Sequence, residues 1–553
     1  MKQKLLVLLT LVLFSTRIPA QTGFSMDAGL YATLLNDLKK NLYTNSRVEK
    51  VTLDGKERLM FVEWVRDHIH TMKAYKYWEK DMASYIAFFM EHQTEKGMYF
   101  DYWDSYKDKN VGQLFFTNCF DRQFYFVDVN QQNFFFRMPM EADLEYLMVE
   151  GVYNNWQTTG DIEYVKKWMP TLIKGMKYLM NDPLRWSGRN LLVKRPYTID
   201  TWDFTSQHDS LKSVDKLLGH IDNTEKTPKG IMHGDNSGMF MASKMLSELY
   251  NALGEANASK EWDIQAELFR HRLNTLCWNG KHYAHFIPEE PVPAHIQTDP
   301  INSVGLSNTY SINRGAATHE MAASIIKTYQ EIGEKTKNES LAPWFGIYPF
   351  IPPHFGNYKI GEYMNGAILP LVGGELTKAA FQNGYEKYAV EQLKILDVLL
   401  SKTNRKLHGC INGDGTAQAE AIPDEWGQAA FVSALVEGLA GVVDKNILFR
   451  EVEISPRWYF AGVEKTKVDV GYGNDGNQVS YTYSFNSQKN ILNITLSGQF
   501  EKWVLRAPLP DGKTNASATF NGENAQTHIE KINQSAYVIL KGNAPGKIEF
   551  RFF

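Results

Sequence analysis

Apolar side chains recur every three to four residues through most of the chain up to about residue 445, and every second residue beyond it. The first spacing is that of one face of an α-helix, the second that of one face of a β-strand. Residues 61–93 and 142–156 carry the helical spacing, and Thr159-Gly160-Asp161 interrupts it. Asp161 is placed to N-cap a following helix over 162–180, because its carboxylate can accept a backbone N–H of the first turn. The same unit of helix, glycine break and helix recurs over 238–253 and 260–276 around Gly254, and over 363–382 and 386–400 around Gly384. Each unit reads as an αα-hairpin. Four or five are visible and the gaps leave room for about six. Six hairpins in a ring make an (α/α)6 toroid whose inner helices surround a central pocket. An open solenoid needs a fixed sequence period, which this chain lacks.

After Val443 the pattern changes. The segments starting at Val452, Val468, Val479, Ile491 and Ala536 alternate at period two between Gly, Asn, Asp and Pro turns. That predicts a C-terminal antiparallel β-sandwich. Few polar groups converge on these strands, so a bracing role, or carbohydrate binding, is expected there. At the other end, Lys2 and Lys4 precede an apolar run from Leu5 to Phe14, and Ala20 precedes Gln21. A basic region, a short apolar region and a small residue before the cut form an export signal, and the run is too short to span a bilayer. The expected organisation is a signal peptide over 1–20, a mainly α domain over 21–445 and a β-sandwich over 446–553. The mature protein is expected in the periplasm or outside the cell, without a membrane span.

Composition narrows the function. The 553 residues include 59 basic and 63 acidic side chains, for a formal charge of −4. With no basic tract, nucleic acid is excluded as a partner, since its binding rests on neutralising phosphates. Cys119, Cys277 and Cys410 have no metal-ligand spacing and are too few for a disulfide framework. No metal or organic cofactor is signalled. The unusual figure is the aromatic content, 13% overall, and 22 of the 76 residues from 61 to 136 are Phe, Tyr or Trp. Tyr85, Phe88 and Phe89 fall at helical spacing and belong to the core. Residues 99–103 and 134–136 fit no helix face and are expected to wall a sugar pocket.

Four segments carry candidate chemistry. In the first, Trp64, Arg66 and Asp67 open an apolar helix. Arg and Asp offer a donor fork and a carboxylate to sugar hydroxyls, and Trp a flat face to a sugar ring. The competing reading is a structural ion pair. In the second, Asp203 stands between Trp202 and Phe204, with Asp200 nearby. An aromatic-flanked carboxyl is partly desolvated, which raises its pKa and suits a general acid. The third is the turn around Asn365-Gly366, able to present an amide to a ligand. The fourth is His233-Gly234-Asp235-Asn236, where Asp235 either caps the next helix or faces the pocket.

Taken in order, these segments resemble the six-hairpin glycosidases. The stretch Trp64-Val65-Arg66-Asp67 is similar to the Trp-x-Arg-Asp segment of glucoamylase-type enzymes, which helps to hold the sugar. Trp202-Asp203-Phe204 is similar to the Gly-Trp-Asp-Phe stretch of trehalases, which contains the general acid. Asp235-Asn236-Ser237 before a helix, the stretch from Trp278 to Tyr283 and the turn from Tyr363 to Gly366 match further landmarks. The resemblance covers nearly all of 30–445. It implies a carbohydrate substrate, Asp203 as general acid, and Trp64, Arg66, Asp67, Trp202, Asp235 and Asn365 as substrate-binding residues.

The resemblance fails at the base. Glucosidase relatives carry a glutamate in a His-Glu-x-Tyr-Asn-Pro-type loop before the last inner helix, and here Gly409 follows His408 at that position. Glu420, Asp424 and Glu425 come later in the same loop, and Glu425 precedes Trp426 at a helix start, where the helix dipole favours an ionised carboxylate. Glu375 is a further candidate. The expected reaction is inverting glycoside hydrolysis, with Asp203 as acid and Glu425 or Glu420 as base. Two other readings stand beside it: an unsaturated-uronide hydrolase or polysaccharide lyase on the same toroid, and a carbohydrate-binding protein without turnover.

Overall fold

The computed structural model describes residues 23–44, 48–105, 124–128, 132–199, 223, 225–294, 296–355, 358–418, 425–474 and 477–553. Twelve α-helices lie among them: α1 (Gly29–Thr44), α2 (Val65–Tyr75), α3 (Ser84–Glu91), α4 (Leu144–Thr159), α5 (Ile162–Asn181), α6 (His233–Ala252), α7 (Ala256–Cys277), α8 (Ser307–Asn313), α9 (His319–Thr336), α10 (Pro370–Gln382), α11 (Glu386–Lys402) and α12 (Glu425–Ser433). The α4–α5 turn forms as the sequence predicts. Gly160 takes a left-handed φ of 70° and the Asp161 side chain accepts from the Tyr164 N–H at 3.0 Å. On α5, Val165, Trp168, Met169, Leu172, Met176 and Leu179 are buried, a single stripe facing α4.

The even-numbered helices pack in a closed cycle: α2 on α4, α4 on α6, α6 on α8, α8 on α10, α10 on α12, and α12 back on α2. The odd-numbered helices lie outside, α5 against α4, α7 against α6, α9 against α8 and α10, and α11 against α10. Inner helices must be apolar nearly all round, and α10 and α12 are: eleven of the 13 residues of α10 and eight of the nine of α12 are buried. Two expectations are corrected. The 61–93 stretch is two helices, broken between Tyr75 and Ser84. Residues 363–369 are loop rather than helix, because α10 begins at Pro370, whose missing N–H and fixed φ suit a first helical position. The last inner helix leaves α geometry at Ala434–Leu439, which forms a π-helical turn.

The C-terminal strands form two sheets. One holds seven strands and includes Phe24–Met26 from the N-terminal end, paired antiparallel with Lys465–Gly471. The other holds five and contains a parallel pair, Glu451–Ile454 with Lys502–Pro508. Trp503 of the second sheet meets Phe520 of the first at 5.8 Å between ring centroids. The five-stranded sheet docks on the α10–α11 turn. There the Ser535 and Tyr537 hydroxyls donate to the buried Glu386 carboxylate. Gly384 has a φ of 76°, and a Cβ on it would fall 2.1 Å from the Ile532 carbonyl oxygen, so only glycine fits this approach.

The aromatic-rich stretch is also corrected. Tyr102–Ser105, Tyr125–Asp128 and Asn133–Phe136 form a small antiparallel sheet. Phe100, Trp103, Phe134, Phe135 and Phe136 are buried, and Phe135 packs on Phe88 at 5.0 Å and on His92 at 4.5 Å. These rings are core rather than pocket wall, because period-two placement on a covered sheet buries both faces. No helix among the described residues is long and apolar enough to cross a membrane.

Candidate active site inside the helical ring

A cavity of about 40 Å³ opens at the N-terminal ends of the inner helices, lined by His70, Asp143, Tyr146, Arg195, Asp235, Tyr310, Arg314 and Trp426 among others. These residues come from α2, α4, α6, α8 and α12, from residues flanking them, and from the short strand Arg195–Pro196. Helix N-termini carry partial positive charge, so a site ringed by them favours ionised carboxyls.

Asp235, on the first turn of α6, is 3% exposed. Its Oδ1 lies 3.7 Å from Arg195 Nη1. Its Oδ2 is buried with no hydrogen-bond partner among the described residues. Burial raises its pKa and outweighs Arg195, so the group sits at about 6. Asp143 faces the same cavity in the opposite state. Burial pushes it up as well, but Arg66 outweighs this and holds it below the usual carboxylate range.

Arg66 makes that difference, and it corrects the expectation of an arginine offered to sugar. It is 2% exposed. Its Nε and Nη2 donate to the two oxygens of Asp143 at 2.6 and 3.1 Å, and its Nη1 to Asp101 at 2.6 Å. Nη2 also meets Glu141 at 2.8 Å. One cation cannot neutralise three buried carboxyls, so burial keeps Glu141 well above and Asp101 above the ordinary carboxylate value.

The other predicted residues divide as follows. Trp64 precedes α2 and packs against Tyr102 and Phe136, 4.6 and 5.2 Å between centroids. Asp67 is half-buried on the first turn of α2 and adds charge near Asp101. Trp202, Asp203, Glu420, Asp200 and Asp424 lie outside the described residues. Glu425 is 7% exposed at the first position of α12, beside the cavity-lining Trp426. Asn365 is fully buried. Its amide is committed to the backbone of Ile351, donating at 3.0 Å and accepting at 2.8 Å, so it braces a loop and has no face for a ligand. Asn236 is likewise held by the backbone of Val193 and Met232. Glu375 is buried on α10 against Lys73 at 2.5 Å and does not line this cavity.

Sequence reasoning missed His70, Tyr146, Arg195, Tyr310 and Arg314. His70 stacks on Trp426 at 3.9 Å and 13°. Burial, with Lys73 and Arg314 nearby, holds the imidazole neutral, well below its usual pKa. Arg314 lies between the rings of Tyr146 and Tyr310, 5.3 Å from each centroid. It donates to Gly234 O at 2.9 Å and Ser237 Oγ at 3.1 Å, clamping the turn that bears Asp235. His70 was within reach of the sequence: it lies one helical turn after Arg66 on the same face of α2.

No protein-family model matches the chain, and no curated protein matches it. Solved structures do share its fold. An α-L-rhamnosidase from Dictyoglumus thermophilum superposes with a TM-score of 0.56 at 10% identity, over 96% of this chain and 50% of that one. A GH78 family rhamnosidase of Bacillus sp. GL1 gives 0.56 at 13% identity, over 89% of this chain and 43% of that one. A sialidase gives 0.51 at 11% identity, over 94% and 41%. The chain thus spans half or less of the length of these proteins, and what it shares with them is the fold.

Proposed function

We infer that the chain is an exported glycoside hydrolase, an (α/α)6 toroid over 21–445 carrying a C-terminal β-sandwich over 446–553. The cycle of six inner helices supports the toroid, and the shared fold with rhamnosidases supports a carbohydrate substrate. One observation carries the reaction class. Two buried carboxyls on one cavity, Asp235 near 6 and Asp143 below the carboxylate range, are held in different protonation states by burial and by Arg66. Buried carboxyls tuned apart in this way cluster at catalytic sites, and they support a carboxyl-based hydrolase whose acid and base stand beside them.

In this reading Asp203 protonates the leaving oxygen, the role its Trp-Asp segment implies. Glu425, or Glu420 just before it, activates water on the opposite face of the sugar, for which an inverting enzyme keeps the two carboxyls ~6.5–9.5 Å apart. Asp143 stays ionised and stabilises the positive charge that develops on the sugar ring. Asp235 and Arg195 take sugar hydroxyls as acceptor and donor, and Trp64 and Trp202 supply apolar faces. Arg66 and Asp67 act from beneath, by fixing the carboxyl cluster. A panel of aryl glycosides and oligosaccharides, with product anomers followed by NMR, tests hydrolysis and inversion together. Turnover of a panel member that survives Asp203→Asn sinks the assignment of the acid, and retained anomeric configuration sinks inversion.

A second reading has its own observation. His70, Tyr146 and Tyr310 share the cavity with Arg195 and Arg314, while Gly409 stands at the glutamate position. A proton acceptor beside a cation is what elimination or hydration next to a sugar carboxylate requires. Absorbance of the conjugated enol ether separates the two: a lyase forms it from saturated uronides, a hydratase consumes it.

A further inference from the structure

A second cavity, of about 220 Å³, lies towards the C-terminal halves of the inner helices and shares part of its lining with the first. All six inner helices contribute to it: Lys73 from α2, Glu150 from α4, Met241 and Met245 from α6, Asn313 from α8, Glu375 and Lys378 from α10, and Ser433 from α12. Val443, Asp444, Phe449 and Tyr472 close one end. His70, Tyr310 and Arg314 line both cavities and form the wall between them.

Three features point to a ligand. The wall holds polar atoms without a hydrogen-bond partner among the described residues: Glu150 Oε2, Asn313 Oδ1 and the Nδ1 of His70, a side chain 4% exposed. Leaving such atoms unsatisfied costs about 1–3 kcal/mol each, so occupied space is favoured over empty space. Next, the formal charges balance. Lys73, Lys76, Arg314 and Lys378 face Glu150, Glu375, Glu437 and Asp444, with Lys73 on Glu375 and both Lys76 and Lys378 on Glu437. An ion added to that wall would unbalance it, whereas hydroxyls, which both donate and accept, match it. Finally, Glu437 belongs to the π-helical turn Ala434–Leu439, a rare geometry concentrated at functional sites. The volume, below the ~300–1,000 Å³ of pockets for drug-sized ligands, has room for one small ring.

We propose that this chamber is a second carbohydrate site, taking a single uncharged monosaccharide beside the reaction cavity. The choice of a sugar rests on the glycosidase reading; the polar wall and its charge balance do not. Calorimetric titration of the full chain with D-glucose, D-galactose and L-rhamnose, and with D-glucuronate and D-galacturonate as charged counterparts, tests it. At least one neutral sugar is expected to bind. Glu150→Leu or Asn313→Ala should weaken that binding by about tenfold, the effect of one lost hydrogen bond or more, while Asp235→Asn leaves it in place. Crystals of the unaltered chain soaked in the same sugar should show it against Glu150. Water alone in the chamber of soaked crystals overturns the proposal. So does binding that is abolished by Asp235→Asn and indifferent to Glu150→Leu, and so does a uronate bound at Glu150 as tightly as its neutral counterpart. The assay needs no turnover: a chain that hydrolyses glycosides but holds only water here refutes the chamber alone, and one that binds sugar at Glu150 but hydrolyses nothing refutes the hydrolase alone.

Discussion

Replacing Asp235 by Asn should make the protein's stability respond differently to pH, in a direction fixed by burial. In the native state Asp235 titrates at about 6, against about 3.9 for an unperturbed aspartate. Below the lower value both the native and unfolded chains hold the proton, and ionisation adds no penalty. As pH rises through 4 to 6 the unfolded chain releases the proton while the native chain retains it, so stability falls; above about 6 the loss is complete. A shift of two units corresponds to roughly 3 kcal/mol. The group is buried, so solvent screening does not discount it. Urea unfolding followed by tryptophan fluorescence, at intervals from pH 3.5 to 8, measures this for wild type and Asp235→Asn. The stability difference should favour the variant increasingly between pH 4 and 6, by roughly 3 kcal/mol in total, and then stay level. A difference that is flat across the range, or that moves towards the wild type as pH rises, would refute the reasoning. It would mean that Arg195, 3.7 Å away, dominates burial and that Asp235 is an ordinary paired carboxylate. Under the proposed function the same proton bears on activity, and kcat/KM should change slope near pH 6 in wild type and lose that inflection in the variant.

Arg66→Met should destabilise the chain by about 3–5 kcal/mol, because it leaves the buried Asp101, Glu141 and Asp143 without their shared cation; thermal unfolding measures this, and a loss below 1 kcal/mol would show that the cluster simply takes up protons. Gly238→Ala should also destabilise, by about 1–3 kcal/mol, although alanine favours a helix interior by about 1 kcal/mol: the new Cβ would fall 2.4 Å from the Tyr146 ring, and unchanged or raised stability would show that the ring gives way. Asn365→Ala should lose about 1–3 kcal/mol of stability for the unmade backbone bonds, while sugar affinity of the folded fraction, measured by titration, stays unchanged; a drop in affinity would return this residue to the substrate.

The helical ring was legible in the sequence because its signals are local. Gly160 and Asp161 mark one hairpin turn through a left-handed φ and a capped N–H, both consequences of single side chains. What was not legible depends on the third dimension. The segment from Phe134 to Phe136 has no polar positions, so its period could not be read, and pairing with Tyr102–Ser105 and Tyr125–Asp128 decides that it is core. The strand Phe24–Met26 joins the C-terminal sheet across more than 440 residues of chain, which no local pattern announces.

The site shows the same division, and Arg66 explains it. The Arg66-Asp67 pair at the start of α2 stands out in the sequence, since a helix that is otherwise buried carries a charge pair only when something compensates it. The sequence could not give the compensation, because Asp101 comes from a strand-leading loop, and Glu141 and Asp143 from the approach to α4. Once those three are in place, four of the five donors of this buried arginine are turned to carboxyls, and its effect is exerted through Asp143. The residues that do face the cavity, Asp235, Arg195, Tyr310 and Arg314, lie on three segments spread over more than a hundred positions. Only closure of the ring brings them together. A motif here marks the residue that sets the electrostatics of the cavity, and the other groups lining it are those whose sequence surroundings are least distinctive.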